Sequence, residues 1–117
     1  MSNSRLQGYE EVDSDGELYL FKADFGFLAN LKELSEHNLF SIVEIIPTGD
    51  PDTIRDVLSC SLVKRAGEEA SDLSIEEKRN TIELFITRHG LQECCILANH
   101  LMTNSMIGDI KKTESRN

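Results

Sequence analysis

Cys94 and Cys95 stand side by side, with His89 before them and His100 after. Thiolate and imidazole together invite two readings: a structural zinc site, or a thiol nucleophile with its base. The spacing argues against both. Structural zinc takes four ligands in compact clusters. His89 lies before the helix break at Gly90, and Cys95 and His100, five residues apart, do not share one helix face. Only Cys60 remains to complete a ligand set, and no local motif marks a nucleophile. Neighbours on a helix point about 100° apart and do not pair readily. The three cysteines therefore read as reduced, small residues of the core or its margin, in a reducing compartment.

The carboxylates give the second set of candidates. Glu68, Glu69 and Asp72 fall in a loop, and Glu76 and Glu77 fall in the first turn of a helix. Solvation and compensation of the helix dipole account for them without catalysis. Asp13, Asp15 and Glu17 have a partial calcium-loop pattern, but Gly16 comes too early and no bidentate Glu closes the loop, so the stretch reads as a turn. The chain has no Gly-rich phosphate loop and no Ser-centred elbow. The expectation is a protein with no catalytic residues, no metal and no cofactor.

The elements that carry these residues are legible from periodicity and capping. Tyr9–Val12 reads as a short strand, Asp13-Ser14-Asp15-Gly16 as a turn, and Leu18–Phe21 as a second strand. Either Leu18 and Leu20 or Tyr19 and Phe21 supply its buried face, and a lone hairpin must lean on helices to be stable. From Asp24 the period changes: Phe27, Leu28, Leu31 and Leu34 line one side of a helix, with Asp24 as its cap and Asn38 as its left-handed close. Leu39, Ile42, Val43 and Ile46 give a second helix, ended by Pro47-Thr48-Gly49. Asp50-Pro51-Asp52 opens a third, with Ile54, Val57, Leu58, Ser61 and Leu62 inward, Lys64 and Arg65 at its negative end, and Gly67 as its stop. Ser74-Ile75-Glu76-Glu77 is a capping box for a fourth, with Ile75, Ile82, Phe85, Ile86 and His89 on one face. Gly90 closes it. Leu91 starts the last helix, which places Leu91, Cys94 or Cys95, Ala98, Leu101 and Met102 inward and runs to about Met106 or Gly108. Residues 1–8 and 109–117 are polar and read as disordered tails.

The fold class expected is mainly α: an N-terminal β-hairpin followed by about five short helices in a compact bundle, as one domain over residues 1–117. A chain of 117 residues suits one core. Its net charge of -9 and lack of a basic run argue against nucleic acid as a partner. No apolar run approaches the ~20 residues that span a bilayer. Met1–Arg5 is followed by no apolar segment of a secretory signal, so a cytoplasmic location is expected. Short amphipathic helices in so small a chain leave apolar surface uncovered. Phe40, Ile45, Met102, Met106 and Ile107 are the candidates for a protein-binding surface, although Met102 also falls on the inward stripe.

The order strand, turn, strand, then Phe25-Gly26-Phe27-Leu28-Ala29-Asn30-Leu31, an apolar helix ending near Gly49-Asp50, Ile54-Arg55-Asp56-Val57-Leu58, and Gly90-Leu91 before the last helix resembles the small tail assembly chaperones of long-tailed bacteriophages and gene transfer agents. The likeness spans about residues 16 to 106 and rests on packing and capping signals. The chain departs from the family at Cys94-Cys95, where a small residue is usual. The resemblance implies a non-enzymatic protein of the bacterial host cytoplasm, absent from the mature virion. Its implied partners are the tape-measure protein, which it would keep soluble, and the tail-tube protein, and it implies self-association into a homo-oligomer. The charge leaves an alternative: a small acidic adaptor that binds a basic protein or mimics nucleic acid.

Overall fold

A computed structural model describes the backbone of residues 9–35 and 37–115, and the side chains of those residues up to 105. Two strands, β1 (Tyr9–Ser14) and β2 (Glu17–Lys22), lead into α1 (Phe25–Leu34) and α2 (Leu39–Ile45). A 3-10 turn at Ile46–Thr48 precedes α3 (Pro51–Ser61). Two more strands follow, β3 (Leu62–Arg65) and β4 (Glu68–Glu69), then a 3-10 turn at Ala70–Asp72. The long helices α4 (Ile75–His89) and α5 (Leu91–Ser115) end the described chain. The protein is mostly helical, with the expected N-terminal antiparallel pair.

The hairpin does not stand alone. Leu62–Arg65, expected as the last turn of the third helix, leaves the helix and pairs antiparallel with β2, and Glu68–Glu69, expected as loop, pairs with β3. The result is a four-stranded antiparallel sheet in the order β1-β2-β3-β4. The pairing with β2 draws Leu62–Arg65 out of the helix. The Ser61 hydroxyl donates back to the carbonyls of Val57 (2.9 Å) and Leu58 (3.1 Å) in the last turn of α3. Ala66 and Gly67 both adopt positive φ (52° and 86°), the turn geometry that matches the twist of two antiparallel strands. Asp15 (φ 53°) and Gly16 (φ 85°) make the same turn between β1 and β2.

Side-chain acceptors set the starts of α1 to α4, Asp50 serving α3 through the Thr53 amide. Asp24 Oδ1 accepts from the Phe27 amide at 2.8 Å and starts α1. Asn38 begins α2: its Oδ1 accepts from the Ser41 amide at 2.8 Å, and its backbone is extended. It does not close the first helix, which ends at Leu34 with Ser35 as cap. Ser74 and Glu77 form the full capping box of α4. The last helix continues past the expected end near Met106–Gly108 as far as Ser115. The expected N-terminal tail at residues 1–8 lies outside the described residues.

One hydrophobic cluster joins sheet and helices. Tyr19 and Phe21 face inward from β2, while Leu18 is 48% exposed on the other face. The Phe85 ring from α4 sits 4.6 Å from Tyr19 and 5.7 Å from Phe21, tilted against both. Burying such a ring contributes roughly 2–3 kcal/mol, and each aromatic pair about 0.5–1.5 kcal/mol more. Phe27 and Leu31 of α1, Ile42 of α2 and Ile46 are buried, as the sequence periodicity predicts. The helix α3 lies at the centre and packs against α1, α4, α5 and β2. Its inward residues Ile54, Val57 and Leu58 are fully buried. Ile75 and Leu91, expected inward, sit at helix starts and remain partly exposed.

Candidate functional site

The residues that suggested metal or thiol chemistry are dispersed. Cys94 is buried in the core, and Cys95 turns aside so that its thiol donates to the Ile46 carbonyl at 3.1 Å. The His89 ring stacks on Phe85 at 5.0 Å, and His100 is exposed on α5. All three cysteines are free thiols. Among the described residues no three His, Cys, Asp or Glu side chains gather in a metal-binding group. Burial pushes the Cys94 thiol up to about 12, with the neighbouring Glu93 adding to the effect. The turn carboxylate of Asp13 accepts from the Gly16 amide at 2.9 Å, so it serves the hairpin.

The acidic residues are likewise divided among structural tasks. Lys64 pairs with Glu69 across β3 and β4 at 3.4 Å. Glu17 meets Arg65 at 3.6 Å and Arg88 at 3.9 Å, and accepts from the Tyr19 hydroxyl at 3.3 Å. A tighter network joins α3 to α4. Asp56 Oδ1 accepts from Nε of Arg55 and Nε of Arg79, both at 3.2 Å, and Arg55 also reaches Glu83 at 3.2 Å. The Arg79–Asp56 and Arg55–Glu83 pairs bridge the two helices.

A cleft opens between α1 and the junction of α3 with the start of α4. One part, about 390 Å³, is lined by Asn30, Glu33, Leu34, Cys60, Ile75 and Lys78. A second part, about 320 Å³, shares Asn30, Cys60 and Lys78 and reaches Lys22 and Asp24. The Cys60 thiol is pushed up to about 11, first by burial and then by Asp56, against the opposing pull of Lys78 and Arg79. It therefore stays a thiol at neutral pH, which makes it a lining group and a poor nucleophile.

The described candidate protein-binding residues differ in exposure. Phe40 is 74% exposed, and Ile45 is half-buried further along α2. Met102 is fully buried in the core, so it does not belong to a binding surface: Cys94, Ala98, Leu101 and Met102 share one face of α5, and that face packs inward. The side chains of Met106 and Ile107 lie outside the described residues. One residue that sequence reasoning passed over stands out. Phe25, at 83%, is the most exposed large apolar side chain among those described. Its signal was present, since Phe25 follows the Asp24 cap and lies off the stripe of Phe27, Leu28, Leu31 and Leu34. Phe25 and Phe40 each occupy the first turn of a helix, presented by an Asp or Asn cap.

No protein-family model matches the chain, and no curated protein or solved structure matches it either. Among the described residues no helix is long and apolar enough to cross a membrane.

Proposed function

We propose that this protein is a tail assembly chaperone of a phage, prophage or gene transfer agent, which covers apolar helical segments of a tape-measure protein until the tail tube assembles around them. The observation that carries the reading is the passage from β2 into α1, where the residues of the resemblance lie and where Phe25 is left in solvent while Phe27 is buried. Exposed aromatics in the first turns of α1 and α2 suit an apolar helix partner, because large rings supply contact area at low entropic cost. The site's groups are lining and pairing residues, which fits a binding role without catalysis, metal or cofactor. On this reading the protein works in the host cytoplasm, self-associates, passes its cargo to tail-tube subunits and is not retained in the virion.

Co-expression with a tape-measure protein tests it. The expected result is a soluble complex that survives raised salt and is lost in the Phe25→Ser/Phe40→Ser double variant. A tape measure that is no more soluble with the protein than without it overturns the reading. A complex that forms but dissolves at raised salt favours the acidic adaptor suggested by the charge of -9.

A further inference from the structure

The two edges of the sheet are unlike. β4 is two residues long and runs straight into the 3-10 turn Ala70–Asp72. β1 is six residues long and keeps register with β2 from Tyr9 opposite Lys22 to Ser14 opposite Glu17. No other described strand lies beyond it. Backbone groups in an antiparallel ladder alternate between the two sides of a strand. The two-residue turn at Asp15-Gly16 makes Ser14 and Glu17 the closing hydrogen-bonded pair, so Val12 with Tyr19 and Glu10 with Phe21 form the next ones. The same alternation turns Leu18 toward β3, and the Ala66 amide donates to the Leu18 carbonyl at 2.7 Å. It follows that the amides and carbonyls of Tyr9, Glu11 and Asp13 point outward along an edge that no described strand covers.

The side chains give this edge a sign. Glu11 and Asp13 are exposed, opposite Leu20 and Leu18, and Glu10 is half-buried on the other face. No basic residue occurs in Tyr9–Ser14. Lys22, at the far end, lies 5.2 Å from the Tyr9 ring centroid and pairs with Asp24 at 3.5 Å. Two copies of β1 placed edge to edge would set carboxylate against carboxylate, which opposes pairing. A strand carrying Lys or Arg at alternate positions would set a cation beside Glu11 and another beside Asp13 while its main chain completes the ladder. We propose that β1 is a docking edge for an extended, basic segment of another protein, which adds to the sheet as a fifth strand. This edge is separate from Phe25 and Phe40, and the proposal does not rest on the chaperone reading.

A synthetic octapeptide of alternating Lys and Val is the probe, titrated into isotopically labelled protein and followed by amide NMR. The expected result is shift changes and slowed hydrogen exchange centred on Tyr9, Glu11 and Asp13. Methylating the peptide's backbone nitrogens on its pairing side should weaken binding roughly tenfold or more, since main-chain bonds are lost while charge is kept. The Glu11→Lys variant, which leaves the bond from the Gly16 amide to Asp13 in place, should weaken binding of the Lys-Val peptide and favour a Glu-Val one. The proposal is overturned if the methylated peptide binds equally, if shifts centre on the cleft beside Cys60, if no peptide binds, or if the free protein dimerises through β1.

Discussion

Arg55 and Arg79, from different helices, converge on one oxygen: each places its Nε 3.2 Å from Oδ1 of Asp56. All three side chains are largely withdrawn from solvent, with Asp56 at 13% exposure. Removing the shared acceptor leaves two guanidinium groups facing each other without their common counter-charge. Asp56→Ala should therefore destabilise the fold by about 2 kcal/mol, below the cost for a fully buried pair because water still reaches both arginines. Urea unfolding measures this, and replacing either arginine alone should cost less. Equal stability of Asp56→Ala and the parent protein would show that the network is decorative.

Leu31 and Leu28 lie on one stripe of α1 but differ in depth, Leu31 being fully buried and Leu28 only partly so. Leu31→Asp should unfold the protein, because a carboxylate there has no partner. Leu28→Asp should leave a weakened but folded chain, its charge tilted to solvent. Far-ultraviolet circular dichroism of the two variants separates these outcomes, and an unfolded Leu28→Asp with a folded Leu31→Asp would invert the assigned packing.

The Asp50 carboxyl caps α3 by accepting from the Thr53 hydroxyl at 2.6 Å and the Thr53 amide at 3.0 Å. These bonds hold its pKa below the ordinary 3.8, the hydroxyl contributing most. A carboxylate depressed in the folded state adds stability above its unfolded pKa and loses it as pH falls through the folded value. Asp50→Asn keeps an acceptor but removes this contribution to acid sensitivity, so the fall in stability below about pH 4 should be shallower. Asp50→Ala should cost about 1 kcal/mol at neutral pH. Thermal unfolding across pH 2–7 checks both.

Cys60 should react slowly with iodoacetamide at pH 8 and faster as pH approaches 11, because its thiol loses the proton only near there. Mass spectrometry after timed alkylation reads the site directly. Rapid labelling at pH 7 would show that the thiol is more exposed than its packing between α1 and α4 implies.

Ala66 holds a left-handed backbone at φ 52° with a side chain that gains nothing from it. Ala66→Asn should stabilise the β3–β4 turn by about 0.5–1 kcal/mol, since Asn tolerates this conformation. A drop in melting temperature would show that the alanine methyl makes a contact worth more than the strain.

These cases also show what the sequence could and could not say. Caps were legible because they depend on neighbours: Asp24, Asp50 and Ser74 each start a helix as their spacing predicts. Helix faces were legible for the same reason, down to the inward set Ile54, Val57 and Leu58. The partner of Leu62–Arg65 was not. Lys64 and Arg65 look like the basic end of a helix, and only the distant β2, with Phe21 waiting opposite Leu62, makes a strand of them. Asn38 suits a helix end and a helix start equally well, and the direction came from the Ser41 amide it serves. Among the apolar residues expected at the surface, Phe40 is exposed, whereas Met102, which also fell on the inward stripe, is buried, because helix position outweighs residue type there.

The pairing of β2 with β3 has a consequence for how the chain reaches this form. Its first two strands can meet in microseconds as a local hairpin. The central seam of the sheet cannot, because Phe21 and Leu62 stand at opposite ends of the stretch that holds α1, α2 and α3. Closing that loop costs entropy before any ladder bond rewards it. Docking α3 on α1 brings Leu62 back toward Phe21 and shortens the span the seam must close, so the strength of that helix contact and the rate at which the sheet completes are tied together.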